Sequence, residues 1–134
     1  MVFPQCGKMD QFAEINKNVV AVVDDDPAVR NSLKFSLEIE GLTVRAFAAG
    51  GELIEILGDE PICCYVIEYR LQDMTGIELA DRLRESGERA PIVMLASHPT
   101  RMMKRQAAQR NIPIVEKPLI GNTLSDVLRN LRGQ

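Results

Sequence analysis

Apolar and polar positions fall into two alternating kinds of block along the chain. Short, largely β-branched apolar runs at Val19 to Val23, Leu42 to Phe47, Ile62 to Glu68, Ile92 to Ala96 and Ile112 to Val115 have strand length and end on polar or turn residues. Between them the apolar spacing lengthens to three and four. Val29, Leu33 and Leu37 recur on one face until Gly41 stops a first helix. Leu53, Ile54 and Leu57 mark a short second helix closed by Gly58, and Ile77, Ala80 and Leu83 a third over Ile77 to Glu85. Pro99 to Arg110 is a fourth, with Met102, Met103, Ala107 and Ala108 as its less polar members. Leu124, Val127, Leu128 and Leu131 give an amphipathic fifth. Pro27 suits the first turn of the first helix, and an aspartate before it can cap the exposed amides. Strand and helix thus alternate five times with short connections. That pattern predicts an α/β domain with a parallel sheet covered by helices on both faces, and right-handed crossovers leave few topologies. The run that ends at Glu68 is apolar throughout rather than alternating, as a strand buried on both faces requires.

Residues 1 to 18 show no period and contain Pro4 and Gly7, so the chain divides into a poorly ordered arm, 1–18, and one domain, 19–134. Phe12 and Ile15 are the arm residues suited to dock on the domain. With 134 residues, 46% hydrophobic and 26% charged, the domain can bury a core without metal or disulfide support. A net charge of -3 argues against a nucleic-acid partner, which usually demands a basic surface. No apolar run approaches the ~18 residues of a membrane span, and Met1 to Asn18 lacks the basic and apolar regions of a signal peptide. The expectation is a cytoplasmic protein. Cys6, Cys63 and Cys64 make an odd count, and two of them lie in a buried strand, which reads as small apolar residues rather than a disulfide framework. Neighbouring strand residues point to opposite faces, which disfavours a Cys63-Cys64 redox pair. The single His98 has no CxxC spacing beside it to suggest a metal site.

In open parallel sheets the carboxyl ends of the strands line the functional crevice. Those ends carry Asp24 and Asp25, Glu68, Ala96 with Ser97, and Lys117 with Pro118. Clustered carboxylates suit a hard cation such as Mg²⁺, and a lysine beside them can neutralise a carboxylate or phosphoryl group. Simpler roles compete. Asp24, Asp25 and Asp26 are all candidate helix caps, but a cap needs only one. Lys117 could be a solvated surface residue, although its place at a strand end before Pro118 favours the site. The basic run Arg101, Lys104, Arg105 and Arg110 reads first as a solvated helix face and second as a contact for an acidic partner.

Four motifs in order, Val-Val-Asp-Asp-Asp-Pro from Val22, Ile-Glu-Tyr-Arg-Leu-Gln-Asp-Met-Thr-Gly from Ile67, Pro-Ile-Val-Met-Leu-Ala-Ser-His from Pro91 and Val-Glu-Lys-Pro from Val115, resemble the receiver domain of two-component response regulators, FixJ-like receivers above all. The resemblance runs over residues 19 to 132. It implies a flavodoxin-like (βα)5 fold with strand order 2-1-3-4-5. It makes Asp24 and Asp25 the acidic, Mg²⁺-binding pair and Lys117 the lysine that contacts the phosphoryl group. Pro118 becomes the proline that typically follows a cis bond. The cofactor it implies is none, or a weakly bound Mg²⁺ held by Asp25 and Glu68.

The departures from the family pattern carry as much information. The phosphoacceptor aspartate falls on Glu68, the hydroxyl residue at the end of strand four on Ala96, and the switch aromatic of strand five on Ile114. An extra methylene moves a nucleophile by ~1.5 Å, and misplacement of about 1 Å can cost roughly a hundredfold in rate. Ala96 also removes a donor to phosphoryl oxygens, and Ser97 would point to the opposite face from it. The leading expectation is therefore a non-enzymatic, stand-alone receiver-like signalling domain. In it Glu68 imitates the phosphorylated state and output runs through protein contacts on helix four, strand five and helix five. Expected partners are a histidine kinase, a phosphotransfer protein or a downstream regulator, and the same face offers a homodimer interface. The alternative is a working response regulator phosphorylated at another carboxylate, such as Asp73. A phosphatase of the haloacid dehalogenase type ranks lower, because the acids after strand one are contiguous rather than spaced D-x-D.

Overall fold

A computed structural model describes residues 18–119 and 123–131. Strands β1 (Val19–Val23), β2 (Thr43–Phe47), β3 (Cys64–Glu68), β4 (Ile92–Ala96) and β5 (Ile114–Glu116) form one parallel sheet in the order β2-β1-β3-β4-β5. Helices α1 (Pro27–Ile39), α2 (Gly50–Glu55), α3 (Gly76–Glu85), α4 (Arg101–Gln109) and α5 (Thr123–Leu131) alternate with them. The expected architecture and strand order are both found. The arm assigned to residues 1 to 18 lies, Asn18 apart, outside the described residues.

The continuous apolar runs are explained by two cores, one on each face of the sheet. Val19, Ala21 and Val23 of β1, Tyr65 and Ile67 of β3, and Ile92, Met94 and Ala96 of β4 belong to a cluster shared with Leu53 of α2, Leu79 and Leu83 of α3, and Met103 and Ala107 of α4. The intervening strand residues, Val20, Val22, Cys64, Val66, Val93 and Leu95, belong to a second cluster with Leu33 and Leu37 of α1 and Leu124 and Leu128 of α5. Period two along the fully buried strands β1, β3 and β4 assigns alternate residues to opposite faces, so apolar residues are needed on both.

Helix starts follow local chemistry. Asp26 accepts from Ala28 N at 2.9 Å with Pro27 in the first turn, and Thr75 and Glu78 form a reciprocal capping box on α3. Three strands, β2, β3 and β5, begin later than their apolar runs, and at β2 and β5 the helix end before the strand is the reason. Leu42 N is taken by Leu37 O at 3.2 Å, and Ile112 N by Ala107 O at 2.9 Å. Each preceding residue, Gly41 or Asn111, has a positive φ, so these apolar residues close the helix before them rather than open a ladder. Pro113 has no amide to donate, which leaves Ile114 as the first residue of β5.

Cys63 and Cys64 are both buried. Cys63 is disulfide-bonded, which corrects the expectation that the cysteines serve only as small apolar residues. Among the described residues no helix is long and apolar enough to cross a membrane.

Candidate functional site

The sheet delivers three charged side chains to one point at its carboxyl end. Asp24 follows β1, where its amide donates to Phe47 O at 3.1 Å and extends the pairing with β2. It is wholly buried. Glu68, the last residue of β3, is 6% exposed, and these two are the buried charged residues among those described. Lys117 follows β5, its amide donating to Ala96 O at 2.9 Å, and its bond to Pro118 is cis, as the resemblance implied. The Lys117 ammonium lies 2.9 Å from Asp24 Oδ2 and forms a second ion pair with Glu68 Oε1. One cation therefore bridges two buried carboxylates.

The outer oxygens are held by backbone amides. Asp24 Oδ1 accepts from Asp26 N, and Glu68 Oε2 accepts from Arg70 N, each at 2.9 Å. Arg30 Nη1 donates to Asp24 O at 2.8 Å, tying α1 to the same corner. Asp24 Oδ2 has no aligned hydrogen-bond donor among the described residues, so its contact with Lys117 is an ion pair without hydrogen-bond direction. A cleft of about 230 Å³ beside the lysine is lined mainly by Ala28, Val29, Leu33, Pro118 and Leu119, which keeps the pair in largely apolar surroundings.

Burial alone would lower the pKa of Lys117, but its pairing with the Glu68 and Asp24 carboxylates outweighs it and raises the pKa. A raised folded value means that the pairing stabilises fully below the unfolded lysine value of about 10.4 and is lost as pH rises through the folded one. The stability difference between wild type and Lys117→Ala should therefore be flat through neutral pH and shrink at more alkaline pH. Urea titrations of both proteins from pH 7 upward check this, and a difference that grows with alkali would contradict it. Tyr65 does not confuse the comparison. Burial and its bond to Glu88 push its hydroxyl up, but identically in both proteins.

The other candidates separate. Asp25 is partly exposed and takes no part in the lysine bridge, and Asp26 is the helix cap. Ala96 is fully buried and Ser97 exposed. Ile114 is partly buried against the cluster under α4. Asp73 is 22 and 23 residues from its partners: its two oxygens accept from Gly50 N at 3.1 Å and Gly51 N at 2.9 Å, so it caps α2 from across the fold. The Gly51 bond above all holds its carboxyl below the usual range, with partial burial opposing.

The residues as arranged do not fit Mg²⁺. That ion demands near-octahedral oxygen ligands at about 2.0–2.1 Å, whereas here an ammonium already stands between the Asp24 and Glu68 oxygens. Among the described residues no three acidic, histidine or cysteine side chains form a metal-binding group.

Two residues of the site escape sequence reasoning. Gly76 N donates to Tyr69 O at 2.6 Å, and a Cβ on Gly76 would lie 2.6 Å from Glu68 O, so the start of α3 rests directly on the end of β3. Tyr69 sends its hydroxyl to Gln106 Oε1 of α4 at 2.9 Å. The Thr-Gly after the turn hinted at the first, while nothing local signals the second.

Comparison with known proteins agrees with the fold. The response regulator receiver domain family matches residues 20–129. The transcriptional regulatory protein TdiR of Thauera aromatica is 30% identical over 114 residues, covering 84% of this chain and 50% of TdiR. The C4-dicarboxylate transport transcriptional regulatory protein DctR of Rhodobacter capsulatus is 31% identical over 114 residues, covering 81% of this chain and 56% of DctR. The chain thus spans about half the length of these curated relatives. The crystal structure of FixJ-N superposes with a TM-score of 0.76 at 24% identity, covering 87% of this chain and 94% of FixJ-N. By its strand order, the placement of its motifs at the strand ends and a family match over nearly all of the described fold, this chain belongs to the response regulator receiver domains.

Proposed function

We propose that this receiver domain signals without a phosphorylation cycle, with Glu68 as a built-in partial substitute for a phosphorylated aspartate. The observation that carries the reading is the Lys117 ammonium seated between Asp24 and Glu68. In a receiver that lysine is expected to meet phosphoryl oxygens. Here a carboxylate one methylene longer than aspartate supplies an oxygen to it directly, without a metal. The substitution is partial, because a carboxylate brings one negative charge and a phosphoryl group close to two. Ala96 and Ile114 supply neither the hydroxyl nor the aromatic ring through which a receiver would change state, which supports a single fixed output conformation.

The domain then acts by protein contact rather than catalysis, in the cytoplasm. Its partner is a histidine kinase, a phosphotransfer protein or a downstream regulator, met on the α4, β5 and α5 face. Asp73 is a poor substitute acceptor, since both of its oxygens hold α2 amides. Incubation with acetyl phosphate or a kinase and Mg²⁺ should leave the intact mass unchanged. Millimolar beryllofluoride should likewise leave the amide shifts of α4 in place. Stoichiometric phosphoryl addition would sink the proposal, and addition that survives Glu68→Ala would point to another carboxylate.

A further inference from the structure

Tyr69 is the chain neighbour of Glu68 in the charge centre and also packs under α4. Glu68 Oε2 accepts from Arg70 N at 2.9 Å, so the glutamate side chain closes a small ring around the backbone of Tyr69. Tyr69 N donates to Leu95 O at 2.8 Å and Tyr69 O accepts from Gly76 N at 2.6 Å, which leaves its backbone little freedom of its own. The ring is 6% exposed and belongs to the cluster that includes Met103 and Ala107 of α4. Its hydroxyl ends on Gln106 of that helix. The Arg70 guanidinium stands 5.9 Å from the ring centroid on the same loop.

Gln106 is also a fixed point. Arg110 donates to Gln106 O at 2.8 Å and is itself paired with both oxygens of Asp81 on α3, at 2.8 and 3.0 Å. The carboxyl-terminal half of α4 is therefore held from two sides, by Arg110 against α3 and by Tyr69 against the end of β3. Ala96 has no polar side-chain atom and Ile114 is aliphatic, so neither can make a comparable hydrogen-bonded link between the site and α4.

We propose that Tyr69 is the positioning residue through which the Lys117-Glu68 pair sets the placement of α4, by the chain Glu68 Oε2, Arg70 N–H, the rigid Tyr69 ring and Gln106. This rests on the reading of Glu68 as the fixed charge of the site and adds the route by which that charge reaches the output face. The route is mechanical rather than a titration. A displaced Glu68 carboxylate frees Arg70 N–H, the Tyr69 backbone relaxes, and a ring with only two side-chain torsions carries the displacement to its hydroxyl.

The test follows backbone amide shifts of the ¹⁵N-labelled domain on Glu68→Ala, with Glu68→Asp, which withdraws the carboxylate by one methylene, as a second perturbation should the first unfold. In the otherwise native protein the substitution should move the amides of α4 around Gln106. In Tyr69→Phe, which keeps the ring and loses only the hydroxyl, and in Gln106→Met, which keeps the volume and loses the acceptor, that response should be lost. Equal α4 responses in all three backgrounds would overturn the relay. If the amides of Asp24 and Lys117 move while α4 is silent in every background, the relay falls and the charge centre stands. If neither region responds, both readings fall.

Discussion

Lys117→Ala is expected to destabilise the domain by about 3–5 kcal/mol, the range for breaking a buried ion pair by removing one partner. The magnitude follows from what stays behind. Asp24 is completely buried and the Lys117 side chain is 16% exposed, so loss of the ammonium leaves two carboxylates facing each other with little water to screen them. Each keeps one amide partner, from Asp26 or Arg70, and that does not neutralise charge. Glu68→Gln should cost less, about 1–3 kcal/mol, because the amide keeps the shape, its oxygen can still accept from Arg70 N, and Lys117 retains Asp24. Equilibrium urea unfolding of both variants checks the order. A Lys117→Ala loss within the ~1 kcal/mol of an exposed pair would mean that no buried bridge exists.

Gly76→Ala should cost about 3 kcal/mol, at the upper end of the usual range for overpacking. The added Cβ would sit 2.6 Å from Glu68 O, 2.6 Å from Met94 Sδ and 3.0 Å from Tyr69 Cα. Two of these three are backbone atoms of the strand end that carries the site, and they cannot move without shifting Glu68 itself. Gly50→Ala is the informative control. Its Cβ would meet Met74 Sδ at 2.7 Å, a comparable overlap, but with a flexible side chain that can swing aside. Gly50→Ala should therefore cost clearly less, under about 1.5 kcal/mol. Similar losses for the two variants in urea unfolding would show that backbone contact at Gly76 is not the reason for its glycine.

The order of strands and helices was legible in the chain because burial on both faces of a parallel sheet leaves continuous apolar runs, and helices leave a spacing of three and four. Ladder boundaries at Leu42 and Ile112 were less legible, since an apolar residue closing a helix looks the same in sequence as one opening a strand. Glu68 was found because it ends an apolar run abruptly, and Lys117 because it stands at a strand end before Pro118. Family motifs then set them beside Asp24.

What each acid does was not written locally. Asp24, Asp25 and Asp26 are chemically identical neighbours. Only the depth of the sheet decides that the first is buried against Lys117, the second partly exposed and the third a helix cap. Asp73 looked like a spare acceptor until the fold brought it onto the amides of Gly50 and Gly51, and Tyr69 was only one letter of a motif until its hydroxyl met Gln106, 37 positions away. Sequence by itself determined which residues lie at the strand ends, because periodicity is a local property of the chain. Tertiary structure alone decided their partners: an ion pair or a hydrogen bond depends on distances between strands and helices far apart in sequence, and no local pattern records those distances.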